Sequence, residues 1–241
     1  MTVPVPAERP PSLWEDLLEI FYAPRAVFER RRETPAFGLA LVVFAVLMIG
    51  LAVAFQSITE PVIDAELKRS MAVAMKQNPQ LTPEMAAGFS ATGKKFALVG
   101  VAVYALIIPL LLGLALWVVG KLLDSKAEVG QMMMVATYAL FPRIIETIVN
   151  AIQLLLLPEE GITSHFSLTL GIGRFLDPDT QSVLIAVLGR VDVFTLWITT
   201  LMGIGLAVMG RIPRGRAILG ALIMWLIGGI LPIWGAVRAA G

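Results

Sequence analysis

Residues 96–120 read FALVGVAVYALIIPLLLGLALWVVG, a run of 25 residues without one charged side chain. About 20 apolar residues of helix are enough to cross the hydrocarbon core of a bilayer. The run therefore predicts a transmembrane helix. Pro109 lies inside it, and we expect a kink there whose freed carbonyl is satisfied by neighbouring helices.

Four further segments pass the same test of length and apolar character. They are residues 36–55, 129–157, 193–210 and 217–237. Their apolar residues run on without the alternation that strands of a membrane barrel would show. The sequence thus predicts an all-α, polytopic transmembrane bundle with five spans over residues 36–241, preceded by a cytoplasmic N-terminal segment, residues 1–35.

The composition agrees with a membrane protein and excludes several other classes. Of the 241 residues, 57% are hydrophobic and 15% are charged, against roughly 45–50% and 25% in soluble domains. The net charge of +1 gives no basic excess, so we expect no nucleic-acid partner. The chain has no cysteine, which excludes disulfides, thiolate metal sites and cysteine nucleophiles.

The distribution of basic residues predicts the orientation in the membrane. With the N-terminus inside, the inner segments carry ten Lys and Arg in 49 positions, and the outer segments carry eight in 79. Cytoplasmic segments are the ones enriched in positive charge. We therefore expect a cytoplasmic N-terminus and a C-terminus outside.

The segment before the first span predicts a short amphipathic helix at the membrane interface. Ser12 and Glu15 have the spacing of a capping box. The helix carries an apolar stripe and an acidic side, expected to face away from it; the stripe is Leu13, Trp14, Leu17, Leu18 and Phe21, and the acidic side is Glu15, Asp16 and Glu19. Because lipid-binding surface helices usually carry basic residues on the polar side, the acidic side favours packing on the bundle or on a protein partner.

The third span contains the most unusual polar residues. Arg143, Glu146, Asn150 and Gln153 are spaced so that one helix face carries all four. Charge inside a membrane is costly and often marks a functional site. The alternative is an internal ion pair that only fixes helix packing. Pro142 predicts a kink just before Arg143.

Other candidate residues carry less information. Arg190 and Asp192 lie at the entry of the fourth span, where Asp192 suits a helix cap or an interfacial pair. His165 is the only histidine, and with the loop residues Glu159 and Glu160 it makes a poor metal site. The motifs of zinc hydrolases, nucleophile-elbow enzymes and P-loop proteins do not occur. We therefore expect no catalytic residues, no cofactor and no metal.

Four motifs, in order along the five spans, give the chain a family resemblance. They are YAPRAVF at residues 22–28, ALFP at 139–142, GRVDVFTLW at 189–197 and PRGRA at 213–217. Together they resemble the bacterial branch of the Yip (Ypt/Rab-interacting protein) membrane family. The resemblance implies five helices and a cytoplasmic N-terminus, in a multi-pass protein of the cell (inner) membrane.

The resemblance also bears on partners. Eukaryotic members are linked to Rab GTPases and carry an Asp-Leu-Tyr/Trp-Gly-Pro-type motif near the first span, which this chain lacks, so no Rab-type GTPase is expected. Some bacterial relatives are thought to accompany ABC exporters of the macrolide-efflux type. The family supplies no established catalytic residues.

The leading hypothesis is accordingly a non-enzymatic integral membrane protein. It would act in the lipid bilayer as a scaffold or an assembly or accessory factor for a membrane-protein complex, such as an ABC-type exporter. The alternative is a small transporter or permease subunit that uses the broken, polar third span. An intramembrane enzyme ranks third.

Overall fold

The computed structural model describes residues 12–78, 80–158, 161–162, 164–177 and 182–240. Its described part is helical and contains no strand, so the all-α prediction is confirmed. Five segments are long and apolar enough to span a membrane, and they match the five predicted spans within a few residues. They are Phe37–Ala54, Phe96–Leu122, Val129–Leu156, Val193–Gly210 and Arg214–Val237.

Ten α-helices build the described part of the chain. They are α1 Leu13–Glu19, α2 Pro24–Arg30, α3 Phe37–Ala54, α4 Gln56–Gln77, α5 Pro83–Leu122, α6 Val129–Ala139, α7 Pro142–Leu156, α8 Ser182–Leu188, α9 Val193–Gly210 and α10 Arg214–Ala240. Two 3₁₀ helices, His165–Leu168 and Ile172–Phe175, lie between α7 and α8. α8 is a short helix of seven residues, and residues 178–181 before it lie outside the described part.

The third span consists of two helices instead of one. α6 ends at Ala139 and α7 begins at Pro142, with Leu140 and Phe141 between them. Proline has no N–H to donate to the preceding turn, and it is well suited to the first position of a helix. The interruption therefore falls where Pro142 predicts it, and it places Arg143 in the first turn of α7.

The N-terminal helices are part of the bundle core. Ile20, Val27 and Phe28 are fully buried, and the Phe21 ring packs edge-on against Trp197 of α9 at 5.7 Å between centroids. Trp197 lies 13 residues before the Gly210 end of α9, which is about 20 Å along a helix axis. The segment of α1 and α2 therefore contacts the fourth span about 20 Å from the Gly210 end of α9.

The predicted capping box of α1 is confirmed: Ser12 Oγ accepts from the Glu15 backbone, and Glu15 accepts from the Ser12 backbone. The expectation that the acidic side faces away is wrong for Asp16, which has 0% of its side chain exposed. Its carboxylate binds Arg30 at 2.6 Å and Arg31 at 2.5 Å.

The apolar residues Trp14 and Leu18 of α1 are exposed, whereas Asp16 is buried. The reason is that α2 folds back on α1, so that Arg30 at its end and Arg31 just after it bind the carboxylate in the interior. An inward polar side and an outward apolar side suit a helix whose surroundings are lipid.

The chain between the first two spans forms an extended element. α4 follows α3 after the single residue Phe55, and residues 83–95 of α5 precede its apolar run. Lys94 of α5 joins the two helices by binding Asp64 at 2.5 Å and Glu60 at 3.3 Å. We call α4 and residues 83–95 the outer arm.

Candidate functional site

A charged cavity lies between α4 and the helices of the bundle. Its volume is about 930 Å³, and its walls come from α4, α7, α8, α10, the 3₁₀ helix His165–Leu168 and the residues leading into α9. Eight side chains of the lining are acidic or basic: Glu66, Lys68, Arg69, Lys76, Arg143, Glu146, Arg190 and Asp192. A cavity of this size suits a small-molecule ligand. Four of its ionisable residues lie on α4, and two others, Arg143 and Glu146, belong to a span, where charge often marks a functional site.

Arg143 and Glu146 form an ion pair on the wall of this cavity. Arg143 Nη1 lies 2.5 Å from Glu146 Oε2, and the two side chains are 30% and 19% exposed. Their charges therefore face a polar space and not hydrocarbon. Arg143 Nε is buried and has no hydrogen-bond partner among the described residues.

The other two polar residues of the third span serve a different purpose. Gln153 Nε2 donates to the Leu168 carbonyl at 2.8 Å and to Asn150 Oδ1 at 3.4 Å. This amide pair attaches α7 to the end of the 3₁₀ helix that forms one wall of the cavity. The predicted stripe is thus divided into an ion pair at the cavity and an amide pair beyond it.

Asp192 caps α9. Its Oδ1 accepts from the backbone N–H groups of Phe194 at 2.9 Å and Thr195 at 3.1 Å. These are two of the donors that the first turn of a helix leaves unpaired. The carboxylate at the start of the fourth span is therefore already engaged by backbone.

Arg190 reaches from the same segment onto α10. Its guanidinium lies over the Trp225 ring, 5.1 Å from the centroid, and Nη2 donates to the Trp225 carbonyl. The Trp225 indole donates back to the Arg190 carbonyl at 3.4 Å. A Cβ at Gly228 would lie 3.0 Å from Arg190 Nη2, and one at Gly229 would lie 3.1 Å from Nε. Consecutive glycines on α10 thus make room for this side chain.

The Arg190 cation is held in place without being neutralised. Burial and repulsion by Arg143 lower its pKa from the ordinary value, and attraction to Asp192 opposes this only in part. Arg190 Nε, like Arg143 Nε, is buried with no hydrogen-bond partner among the described residues. The site therefore contains two guanidinium groups whose Nε atoms are enclosed by protein.

Glu66 and His165 join the outer arm to the 3₁₀ helix. Glu66 Oε1 accepts from the His165 backbone and contacts Nδ1 of its ring, both at 2.8 Å. Burial alone would raise the pKa of Glu66, but the hydrogen bonds and charge of His165, with help from Arg69, lower it. This pair could not be predicted from the sequence, because 99 residues separate its members. Glu159 and Glu160, which the sequence placed with His165, lie outside the described residues.

We expect acid to release α4 from the 3₁₀ helix. The pKa of Glu66 lies below its ordinary value of 4.5, so the stabilisation is complete above about pH 4.5 and is lost as the pH falls through the lower, folded-state pKa. Spin labels on the exposed residues Ser70 and Arg174 should give a narrow distance distribution at neutral pH and a broad one in acid. Glu66→Gln should broaden it at every pH. A distribution in the Glu66→Gln protein that is as narrow at neutral pH as that of the wild type would contradict the assignment.

We expect Glu146→Gln to cost about 1–3 kcal/mol of folding free energy, between the values for exposed and fully buried pairs, because both side chains reach the cavity. The measurement is the midpoint of thermal unfolding of the purified protein in detergent. The double variant Arg143→Gln with Glu146→Gln removes both charges and should recover part of the loss. Equal losses in the single and double variants would show that unpaired charge is not the cause.

The described residues contain no group of three or more His, Cys, Asp or Glu side chains placed to hold a metal ion.

Among known proteins, the model of the Yip1 domain family matches residues 18–235, from α1 through most of α10. No curated protein and no solved structure gives a significant match.

Proposed function

Since the chain belongs to the Yip1 domain family, we propose that it is a non-enzymatic scaffold or accessory factor of a membrane-protein complex. It acts in the cell (inner) membrane with its N-terminus in the cytoplasm and its C-terminus outside. An ABC-type exporter with segments outside the bilayer is the kind of partner that we propose.

The observation that carries this proposal is the outer arm. α4 has 22 residues, or about 33 Å of helix, and residues 83–95 pair with it outside the apolar run of α5. Met85 and Phe89 lie four residues apart on α5 and are 50% and 57% exposed. Adjacent exposed apolar side chains on an extramembrane element are typical of a surface that contacts another protein.

Photo-crosslinking in native membranes tests the proposal. A photoreactive residue at Phe89 should capture one discrete partner. Phe175, which is 83% exposed on the 3₁₀ helix Ile172–Phe175, is the matched control and should not capture it. No crosslinked species at residue 89, or the same species from both positions, would contradict the proposal.

A second candidate function is transport. It is favoured by the cavity, because the interrupted third span contributes Arg143 and Glu146 to the wall, and interrupted helices often form substrate sites. Purified protein alone in lipid vesicles should then support uptake of a labelled inorganic anion. Vesicles with Arg143→Gln protein should not. Equal uptake in empty vesicles and in vesicles with the wild-type chain would exclude this candidate.

A further inference from the structure

The charges of the cavity do not balance. Five basic side chains and three carboxylates line it. Each carboxylate already has partners: Glu146 binds Arg143, Asp192 binds two backbone N–H groups, and Glu66 binds His165. The sum of these charges is positive. Arg69 is already engaged, but none of the three carboxylates forms an ion pair with Lys68, Lys76 or Arg190 in the part of the chain that the structure describes.

Two of the remaining cations lie on one wall. Lys68 and Lys76 are exposed on α4; they lie eight residues apart, which is about 12 Å along the helix axis, and both line the cavity. Neither has an ion-pair partner among the described residues, since Asp64 and Glu60 bind Lys94 instead. The α4 wall thus presents two ammonium groups to the cavity.

The two arginines contribute guanidinium charge to the wall. Arg143 and Arg190 both line the cavity, and their Nε atoms are enclosed by protein, so a ligand would meet the rest of each guanidinium. The Trp225 ring and carbonyl, together with Gly228 and Gly229, hold the Arg190 guanidinium in place. A guanidinium held in a fixed position at the wall of a cavity is suited to bind an anion.

We propose that this cavity binds a phosphate group, with Arg190 and Arg143 as its guanidinium contacts and Lys68 and Lys76 as its ammonium contacts. A phosphate offers several acceptor oxygens and one or two negative charges, so it can bind the guanidinium and ammonium groups that line the cavity and offset their charge. The inference concerns binding alone and depends neither on the accessory role nor on transport.

The phosphate has two chemical sources. One is a free anion; the other is the headgroup of an anionic lipid. The cavity is larger than a bare anion needs, and apolar side chains such as Val73, Ile185 and Pro232 share its lining. A group that carries the phosphate would therefore find apolar contacts beside the charges.

Binding to the purified full-length chain in detergent distinguishes the sources. The probes are inorganic phosphate, short-chain phosphatidylglycerol and short-chain phosphatidylcholine, titrated at constant ionic strength and followed by calorimetry and thermal unfolding. The variant is Lys68→Gln with Lys76→Gln, two exposed positions where the substitution should leave the fold intact. The control is Arg174→Gln, an exposed cation that does not line the cavity.

We expect the lysine variant to bind about tenfold more weakly than the wild type, and Arg174→Gln to bind as the wild type does. Saturable binding of phosphatidylglycerol but not of inorganic phosphate assigns the site to a lipid headgroup. Saturable binding of inorganic phosphate assigns it to a free anion.

Arg190→Gln should weaken binding further, but it also removes packing on Trp225, so the lysine variant is the decisive one. No saturable binding of either anionic probe overturns the proposal. Binding of phosphatidylcholine as tight as that of phosphatidylglycerol would also overturn the proposal. Equal affinity for the anionic probe in the lysine variant and in Arg174→Gln would overturn it as well, whatever the affinity of Arg190→Gln.

Discussion

Asp16→Asn is expected to cost about 3–5 kcal/mol of folding free energy, the largest loss we expect from any single charge removal in this chain. The side chain is 0% exposed and binds Arg30 and Arg31. Its removal takes away the fully buried carboxylate that both guanidinium groups share; Arg30 retains Glu19 at 2.5 Å, but breaking a buried pair from one side costs this much.

Unfolding in detergent, followed by heating or by a denaturant titration, measures the loss. Glu29→Gln is the matched control, because Glu29 pairs with Arg25 on the exposed side of α2, at 2.8 Å. Exposed pairs contribute at most about 1 kcal/mol. If the two variants unfold at the same midpoint, Asp16 does not stabilise the N-terminal helices as described.

Gly113→Ala is expected to force α5 and α6 apart. A Cβ at Gly113 would lie 2.7 Å from Met133 Cα and 2.8 Å from Met133 Sδ. The sulfur can move, but the Cα belongs to the backbone of α6, so the helices themselves must separate. Overpacking of this kind costs about 1–3 kcal/mol.

The control lies on the same helix. A Cβ at Gly100 of α5 would meet nothing within 4 Å, so Gly100→Ala should be neutral or slightly stabilising, because alanine favours helix more than glycine does. Thermal unfolding of both variants in detergent provides the comparison. A Gly113→Ala protein as stable as the Gly100→Ala protein would contradict the close approach of α5 and α6.

The spans could be predicted from the sequence because lipid imposes a simple requirement. Each crossing segment must be apolar and must satisfy its own backbone, which only a long apolar helix does. The interruption at Pro142 was also predictable, since it follows from the chemistry of one residue. Which side of α1 is buried was not predictable, because the arginines that turn Asp16 inward lie on α2, and their position depends on the turn between the helices.

In the candidate site, too, contacts between residues close in sequence could be predicted, and contacts between distant residues could not. The Arg143–Glu146 pair is local, three residues apart on one helix, and the sequence predicts that the two side chains share a face. Arg190 meets Trp225 across 35 residues, and Glu66 meets His165 across 99. No periodicity relates such positions. The one available signal was Gly228-Gly229 within a span, since consecutive glycines permit close approach of another group.

α4 belongs both to the outer arm and to the wall of the cavity. Lys68 and Lys76 lie on its cavity side, and Glu60 and Asp64 bind Lys94 in the arm. A phosphate that fixes the orientation of α4 and a protein that docks on the arm would therefore act on the same helix. Linkage is reciprocal: the factor by which the phosphate changes the affinity for the partner equals the factor by which the partner changes the affinity for the phosphate.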